Sequence, residues 1–573
     1  MSCWVKNGLV PLGIVLLACS IQCRALQLAE IVQTHSGPVQ GEIIKTLWKS
    51  KQCAAFRGIP FAAPPVGALR FKPPVEPQSW KAVRAAVDEG SMCIQEGGGP
   101  RNASGSEDCL FINVFTPHTR FGSSNVEKKP VMVWIYGGAF SGGYSNDSVY
   151  GPDFFLEDDV VFVSFNYRLG AFGFLSANHP DALGNSGLKD QSFALKWVQK
   201  NIANFGGNPN QVTIFGESAG ASSVEFHMLS EMSKGLFHRA ISMSGTPLAP
   251  WSHENPTIAT QVAFDLAEEL GHKATDKDDL VRFLLTVPAD DIIMATKAIT
   301  EMPLLNLVFK PTTENAAIGK PGDHFLTECP MKKLRNGNYT KVDRMMGFTK
   351  DEALLFVNRV EMLAQMIHYT QSVLRDIMRA LTDYSHKLGD WLKILSENSK
   401  DKLTKVFSSV LFNGPIDLTQ RMVSGHNAGK PVFYYRLSYE SEFALHNMGS
   451  PNITNGTAHG DDIGYLFNVK ALKTPTSPDH PFNQFRQRFV KLWTNFAKYG
   501  NPTPQLSGEN GQLGNLLWQD SGSAGVQLDI DENFEQKPRM VDHATEIYEL
   551  VWFLANPIIL GCKSALDSVI GGL

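Results

Sequence analysis

The chain has 573 residues, of which 43% are hydrophobic and 19% charged, and its formal net charge is −5. This balance is typical of a globular protein with a sizeable core and argues against a disordered or fibrous chain. The sequence contains no basic block, so we do not expect nucleic acid as a partner.

The first 25 residues have the features of a secretory signal peptide. Lys6 supplies a positive charge, Leu9 to Ala18 form an apolar segment, and Cys23 and Ala25 are small residues at the positions that a signal peptidase reads. The apolar segment is too short to cross about 30 Å of hydrocarbon, and no later stretch is long and apolar enough to do so. We therefore expect a secreted, extracellular protein without a membrane span.

The cysteines beyond this signal are odd in number, so at least one is unpaired or forms an intermolecular bond. They are Cys53, Cys93, Cys109, Cys329 and Cys562. A monomer, or a weak or disulfide-linked dimer, is the expected assembly. Sequons for N-glycosylation support secretion, and they stand at Asn102, Asn146, Asn338, Asn452 and Asn455.

The predicted strands are almost continuously hydrophobic, which indicates strands that are covered on both faces. Amphipathic helices at 190–206 and 486–500 alternate with them, and roughly Glu352 to Asn427 is rich in helix. This alternation predicts a mostly parallel sheet flanked by helices. We found no internal repeat or linker, so residues 26–573 are predicted to form a single α/β domain with helical insertions. The predicted strands are 131–136, 160–167, 211–215, 239–245, 342–348 and 432–439.

The first of these strands runs into a glycine-rich turn, "VWIYGGAFSGG", from Val133 to Gly143. Such a turn leaves backbone N–H groups bare, and two of them could stabilise the oxyanion of a tetrahedral intermediate. The same glycines could instead serve only to pack the strand and the loop closely.

The strand at 211–215 is followed by Gly216-Glu217-Ser218-Ala219-Gly220. This is the G-x-S-x-G pattern of a nucleophile elbow, a sharp turn from strand to helix that exposes a serine hydroxyl. In that architecture an acid and then a histidine follow the serine along the chain. Asp351 or Glu352 follows the strand at 342–348, and His459 lies in the loop after the strand at 432–439.

Other polar residues near these motifs have simpler interpretations. His446, thirteen positions before His459, is the nearest rival for the base. His227 falls in the helix after Ser218, where a structural role is expected. Asp461 and Asp462 could suggest a metal, but no second group of ligands supports one, and a solvated loop is the prediction.

Seven ordered blocks of the sequence resemble the carboxylesterase/cholinesterase family of α/β-hydrolases, particularly the secreted type-B carboxylesterases of insects. The resemblance implies the α/β-hydrolase fold and a serine carboxylesterase that acts on small-molecule esters through an acyl-enzyme, without a metal or an organic cofactor. The blocks are "FRGIPFAAPPVGALRF", "SEDCLFINVF", "VMVWIYGGAF", "NYRLGAFGFL", "GNSGLKDQSFALKWVQKNIANFGGNPNQVTIFGESAGASSV", "GFTKDEALLF" and "HGDDIGYLF".

The resemblance also implies roles for individual residues. Ser218 would be the nucleophile, Glu352 the orienting acid and His459 the general base. The implied donors of the oxyanion hole are Gly138, Ala139 and Ala219. The implied structural pairs are the disulfide Cys93–Cys109 and the ion pairs Arg57–Glu107 and Arg168–Asp190.

Departures from the family pattern bear on the substrate. The loop between Cys93 and Cys109 has no aromatic residue, so it lacks a cation–π surface for choline esters. Leu305 and Leu307 stand where cholinesterases use phenylalanine in the acyl pocket, which suggests a roomier aliphatic pocket. Juvenile hormone esterases typically have glutamine at the position of Glu217, so the glutamate makes that specific substrate less expected without excluding it. We expect small to medium hydrophobic esters, such as odorant, pheromone, hormone or xenobiotic esters.

Two alternatives to turnover stay open at this point. One is a catalytically inactive, neuroligin-like adhesion protein on the same fold, because fold does not determine function. The other is a stoichiometric scavenger of toxic esters, which would differ from an esterase only in slow deacylation.

Overall fold

The computed structural model describes residues 26–97, 103–122, 127–300, 307–357, 400–448, 455–505 and 513–540. Within these ranges, no helix combines the length and the hydrophobicity needed to cross a membrane. The expected signal peptide (1–25), Asn102, Asn452, Leu305 and Cys562 lie outside the described residues, as does the middle of the helix-rich segment predicted from Glu352 to Asn427.

Among the described residues, 13 strands form one mixed sheet in the order β1-β2-β3-β7-β9-β8-β10-β11-β12-β13-β14-β15, with β4 paired to β2. Strands β5 and β6 form a separate pair. The strands are β1 (Leu28–Gln33), β2 (Pro38–Lys45), β3 (Gln52–Pro60), β4 (Arg84–Ala85), β5 (Gln95–Glu96), β6 (Ala103–Ser104), β7 (Phe111–Thr116), β8 (Lys129–Ile135), β9 (Val161–Phe165), β10 (Gly207–Glu217), β11 (Arg239–Met243), β12 (Asp343–Thr349), β13 (Val432–Leu437), β14 (Gln527–Ile530) and β15 (Phe534–Lys537).

Helices cover the sheet. They are α1 (Asp153–Glu157), α2 (Gly170–Phe174), α3 (Ser186–Asn201), α4 (Ala219–Leu229), α5 (Pro256–Glu269), α6 (Lys277–Leu284), α7 (Ala289–Ile299), α8 (Pro330–Arg335), α9 (Leu354–Val357), α10 (Lys400–Ser408), α11 (Gly414–Ser424), α12 (Asp461–Leu466) and α13 (Pro481–Tyr499). Short 3₁₀ helices lie at Gly67–Leu69, Ile202–Phe205, Glu231–Ser233 and Leu445–Asn447, and a π-helix lies at Ser409–Asn413.

The parallel part of the sheet runs from β9 through β8, β10, β11, β12 and β13 to β14. The predicted mostly parallel α/β sheet is confirmed, and each strand predicted from the sequence overlaps an observed one. Strand β9, for example, is buried at all five positions, which explains its uninterrupted hydrophobicity. Because these strands are parallel, their carboxyl ends share one edge, where ligands bind in open α/β sheets.

An aromatic cluster packs the centre of the sheet onto the helices. The Trp134 ring on β8 lies 4.9 Å from the ring of Phe215 on β10 and 4.8 Å from that of Phe467. Phe467 directly follows α12, the short helix after His459. Aromatic pairs at such distances stabilise a core beyond their burial alone. The cluster therefore fixes the end of α12 against the sheet.

Of the three structural pairs implied by the family resemblance, two are observed and one is wrong. Cys93 and Cys109 form a disulfide, and Arg168 binds Asp190 at 2.6 Å with both side chains buried. The pair Arg57–Glu107, however, is wrong: Arg57 binds Glu42 at 2.5 Å and Asp147 at 2.8 Å. Glu107 is bound by Arg70 instead, at 2.7 Å.

Candidate active site

Ser218 stands at the sharp turn between β10 and α4. Its φ of 58° and ψ of −123° lie in a backbone region that residues other than glycine rarely adopt. The flanking glycines make this turn possible, because a Cβ on Gly216 would lie 2.5 Å, and one on Gly220 2.0 Å, from the carbonyl oxygen of Ile135. The Ser218 N–H donates to the carbonyl of Met243 on β11 at 2.9 Å. The elbow is thus fixed by both neighbouring strands, with Ser218 partly exposed.

The glycine-rich turn after β8 lies directly against this elbow. A Cβ on Gly137 would come within 2.7 Å of the Glu217 carbonyl oxygen and 3.0 Å of Ser218 Cβ. Gly138 and Ala139 both have positive φ, at 105° and 56°, and neither backbone N–H donates a hydrogen bond to another described residue. Ala219 is the first residue of α4, so its N–H has no acceptor within the helix. The turn that carries Gly138 and Ala139 therefore meets the elbow at Gly137.

His459 is held by Glu352. Its Nδ1 lies 2.6 Å from Glu352 Oε2, and its backbone N–H donates to the Glu352 carbonyl at 3.1 Å. Glu352 is fully buried, and its Oε1 accepts hydrogen bonds from Ser244 Oγ at 2.5 Å and from the Thr349 N–H at 2.8 Å. The Glu352 carboxylate is therefore held by Ser244 and Thr349 on one oxygen, while its other oxygen holds the imidazole. Asp351, the alternative that spacing left open, instead accepts a hydrogen bond from the Thr457 N–H at 3.2 Å.

The other ring nitrogen of His459 faces the elbow. Nε2 lies 3.1 Å from Oε1 of Glu217, the residue just before Ser218, so Ser218 and His459 lie at the same edge of the sheet. Burial lowers the pKa of His459, but the nearby Glu217 and Glu352 carboxylates outweigh it and raise this pKa to about 9. Burial also raises the pKa of Glu217 to about 7, against the attraction of His459.

Two phenylalanines beside His459 were not identified from the sequence. The ring of Phe412 lies 4.5 Å from the imidazole and that of Phe356 lies 6.0 Å from it, measured between centroids. Phe412 belongs to the π-helix. No local motif marks this residue, and the abundance of phenylalanine in the chain suggested only core packing.

The acidic residues after His459 are buried, so the predicted solvated loop is wrong. Asp461 accepts hydrogen bonds from the Ala458 N–H at 2.7 Å and from the His446 N–H at 3.0 Å, and its Oδ2 lies 2.7 Å from His446 Nδ1. His446, the rival base, thus holds the turn that carries His459. The Asp462 carboxylate is buried without a hydrogen-bond partner among the described residues, and burial raises its pKa well above the usual range.

Two further residues considered from the sequence, Leu307 and His227, are both buried. Leu307 is buried in the hydrophobic core. His227 is buried between Ser233 Oγ, 2.7 Å from Nδ1, and Gln191 Oε1, 2.9 Å from Nε2. Burial lowers its pKa to about 3, which suits a neutral structural histidine.

The sequons and the remaining cysteines differ in their surroundings. Asn338 and Asn455 are exposed, whereas Asn146 is partly buried and donates to Glu89 at 2.5 Å. Cys53 is a buried free cysteine, and Cys329 is disulfide-bonded. Among the described residues, no group of three or more His, Cys, Asp or Glu side chains is arranged to hold a metal ion.

Taken together, the site contains a partly exposed serine on a strained turn, an imidazole oriented by a buried carboxylate, and an adjoining turn with two N–H groups that donate to no described residue. This combination of groups can generate a serine nucleophile and stabilise an oxyanion.

Comparisons with known proteins agree with this chemistry. The carboxylesterase family profile matches residues 28–544. A juvenile hormone esterase of Tribolium castaneum is 33% identical over 507 residues, which cover 83% of this chain and 84% of that protein. Esterase FE4 of Myzus persicae is 33% identical over 516 residues, covering 86% of this chain and 88% of the relative.

The crystal structure of the juvenile hormone esterase of Manduca sexta, with OTFP covalently attached, superimposes with a TM-score of 0.78 at 26% identity. The match covers 91% of this chain and 99% of that one. The predicted fold and family are confirmed: the chain is an α/β-hydrolase and a carboxylic-ester hydrolase of the carboxylesterase family.

Proposed function

We propose that the protein hydrolyses carboxylic esters with Ser218 as nucleophile, His459 as general base and Glu352 as the orienting acid. The hydrogen bond between His459 Nδ1 and the buried Glu352, at 2.6 Å, is the observation that carries this assignment. It leaves Nε2 directed to the elbow, where a base must accept the serine proton. Asp351, whose carboxylate binds the Thr457 N–H, is not the acid.

The reaction then follows in two steps. His459 takes the proton of Ser218 as Oγ attacks the ester carbonyl, and the N–H groups of Gly138, Ala139 and Ala219 stabilise the oxyanion. His459 returns the proton to the leaving alcohol, which breaks the ester bond and leaves an acyl-enzyme. The same histidine then activates water, which releases the acid and regenerates the serine.

Ser218→Ala tests the nucleophile. A chromogenic acetate ester should give a burst of product followed by steady turnover with the natural protein, and Ser218→Ala should lose both. Ser222→Ala is the matched control, because Ser222 lies on the next turn of α4 with its Oγ bonded to the Thr246 carbonyl. If Ser218→Ala were as active as the natural protein, the assignment would be overturned. A burst without steady turnover in the natural protein would identify a scavenger. Complete inactivity of the natural protein would favour the adhesion alternative.

We propose small to medium hydrophobic esters as substrates, such as odorant, pheromone, hormone or xenobiotic esters. Leu307, which stands where cholinesterases use phenylalanine, is buried and supports an aliphatic acyl side. An acyl series of nitrophenyl esters tests it. Butyryl and longer esters should be turned over faster than acetyl esters if the pocket is roomy. Equal or better turnover of the acetyl ester would contradict the proposal.

We also propose that the mature protein is a single domain, 26–573, secreted after removal of the signal peptide. The N-terminal residue of the protein recovered from the medium of expressing cells should then be Leu26. Glycans are expected at the exposed Asn338 and Asn455, and not at Asn146, whose side-chain amide is bound to Glu89. Peptide mass spectrometry distinguishes these sites, and retention of residues 1–25 would contradict the proposed cleavage.

A further inference from the structure

The helix beside His459 is interrupted by a wide turn. Between α10 and α11, residues Ser409–Asn413 form a π-helix, and the Gly414 N–H donates to the carbonyl of Ser409, five residues back. A π-turn is rare, and single ones often occur at functional sites. The cause of this turn lies in the residues that follow it.

Pro415 supplies that cause. In a regular α-helix, residue 415 would donate its N–H to the carbonyl of Leu411, four residues back. Proline has no N–H, and its ring collides with that carbonyl, so the helix must widen or bend. The Leu411 carbonyl accepts a hydrogen bond from the indole Nε1 of Trp251 instead, at 2.9 Å. Trp251 is buried, so the pair satisfies a donor and an acceptor that would be costly to leave unpaired.

The wide turn places Phe412 against the imidazole of His459. The two ring centroids are 4.5 Å apart, with 39° between the ring planes. Two further rings support Phe412: Phe356 is nearly parallel to it at 6.2 Å, and Trp251 lies 5.7 Å away. Glu352 therefore holds one nitrogen of the imidazole while a fixed aromatic ring limits rotation of the plane.

We infer that Pro415 and Trp251 are positioning residues, which act through Phe412 to keep the imidazole of His459 in its productive rotation. This inference rests on the proposed role of His459 as general base. A return to the regular helical hydrogen bond would turn Phe412 away from His459 and leave the ring held by Glu352 alone. Small misplacements of a reacting group lower the rate strongly.

The test uses Phe412→Leu, Pro415→Ala and Trp251→Phe, the last of which removes only the indole donor from an aromatic side chain. Phe433→Leu is the matched control, because Phe433 is as buried as Phe412 but packs on Phe496 and Trp518. kcat is expressed per site titrated to completion with an organophosphate, so that unfolded molecules are not counted. Phe412→Leu removes no hydrogen bond and keeps a branched apolar side chain, so it is expected to fold.

Phe412→Leu and Pro415→Ala should each lower kcat about tenfold with KM within about twofold, and Trp251→Phe should lower it in the same direction. Phe433→Leu should lower the melting temperature without lowering kcat per site. Natural kcat per site in Phe412→Leu and Pro415→Ala would overturn the inference even if both were less stable. Persistent activity in Ser218→Ala would instead overturn the proposed function, so the two failures are distinguishable.

Discussion

The charge of Glu217 is expected to influence the pH at which the His459 imidazole loses its proton. As the proposed general base, His459 must be neutral to accept a proton, so activity should rise with pH through the pKa of His459. The Glu217 carboxylate raises that pKa. Glu217→Gln removes the charge and should move the acid limb of kcat/KM against pH to lower pH, by about one unit.

The control for this shift is Glu157→Gln, which changes a buried carboxylate bonded to the N–H groups of Trp48 and Lys49. It should leave the acid limb in place. An unchanged or raised limb in Glu217→Gln would mean that the charge of Glu217 does not act on His459.

Gly137 is the residue at which the glycine-rich turn meets the elbow. A methyl group there would lie within 3.0 Å of Ser218 Cβ and closer still to Glu217, so Gly137→Ala should push the turn away from the serine. Because displacement of oxyanion donors costs about 10²-fold in rate, we expect kcat to fall by roughly that factor in steady-state assays. Gly142→Ala in the same turn should change kcat little, because the one described atom that a Cβ there would meet is Gln95 Oε1, at 3.3 Å. Similar losses in both variants would refute this account of Gly137.

At the scale of elements, α12 depends on a buried pair at its beginning. His446 contributes both its backbone N–H and its ring to Asp461, which also binds the Ala458 N–H. Removing one partner of a buried polar pair leaves the other unsatisfied. His446→Leu should lower the free energy of unfolding by about 2 kcal/mol, as measured by denaturant titration, and His446→Asn should recover part of this.

The exposed His426 provides the comparison for that loss. Among the described residues its ring binds only the Met422 carbonyl, in the preceding helical turn, so His426→Leu should cost under about 0.5 kcal/mol. Equal losses at both positions would show that the Asp461 pair contributes nothing special.

The disulfide loop and the glycine-rich turn are also joined as elements. Gln95, two residues after Cys93, accepts the Gly143 N–H at 2.8 Å and donates to the Gly143 carbonyl at 3.0 Å. Replacing Cys93 and Cys109 by serine should cost about 3 kcal/mol of stability. It should also lower kcat, because the turn loses a fixed support. A loss of stability with unchanged kcat would contradict this link.

At the scale of the whole molecule, the sequence predicted those structural features that arise from local contacts or from a repeated pattern. The parallel strands were recognisable because burial on both faces makes them continuously apolar. The antiparallel strands β1 to β3 were not predicted. Strand β3 is interrupted by an irregularity between Phe56 and Ile59, where Gly58 has a φ of 64°. The elbow was recognisable because its glycines are demanded by contacts with the neighbouring strand.

The failures have a common physical reason, which is that partners distant in the chain decide them. Asp461 was expected in solvent because its burial depends on His446 and a folded turn. Arg57 was assigned to Glu107 although Glu42 and Asp147 are its partners. The contact between Phe412 and His459 joins residues that are far apart in the chain, and no local motif marks Phe412.

The order of strands across the sheet has a consequence for biosynthesis. Ser218 follows β10, and the acid and the imidazole follow β12 and β13, so the centre exists only after four adjacent strands have assembled. A ribosome has made most of the chain by that stage, and such distant pairings form slowly. Nascent or truncated chains should therefore be unreactive towards covalent serine inhibitors, so labelling would report completed folding and not mere synthesis.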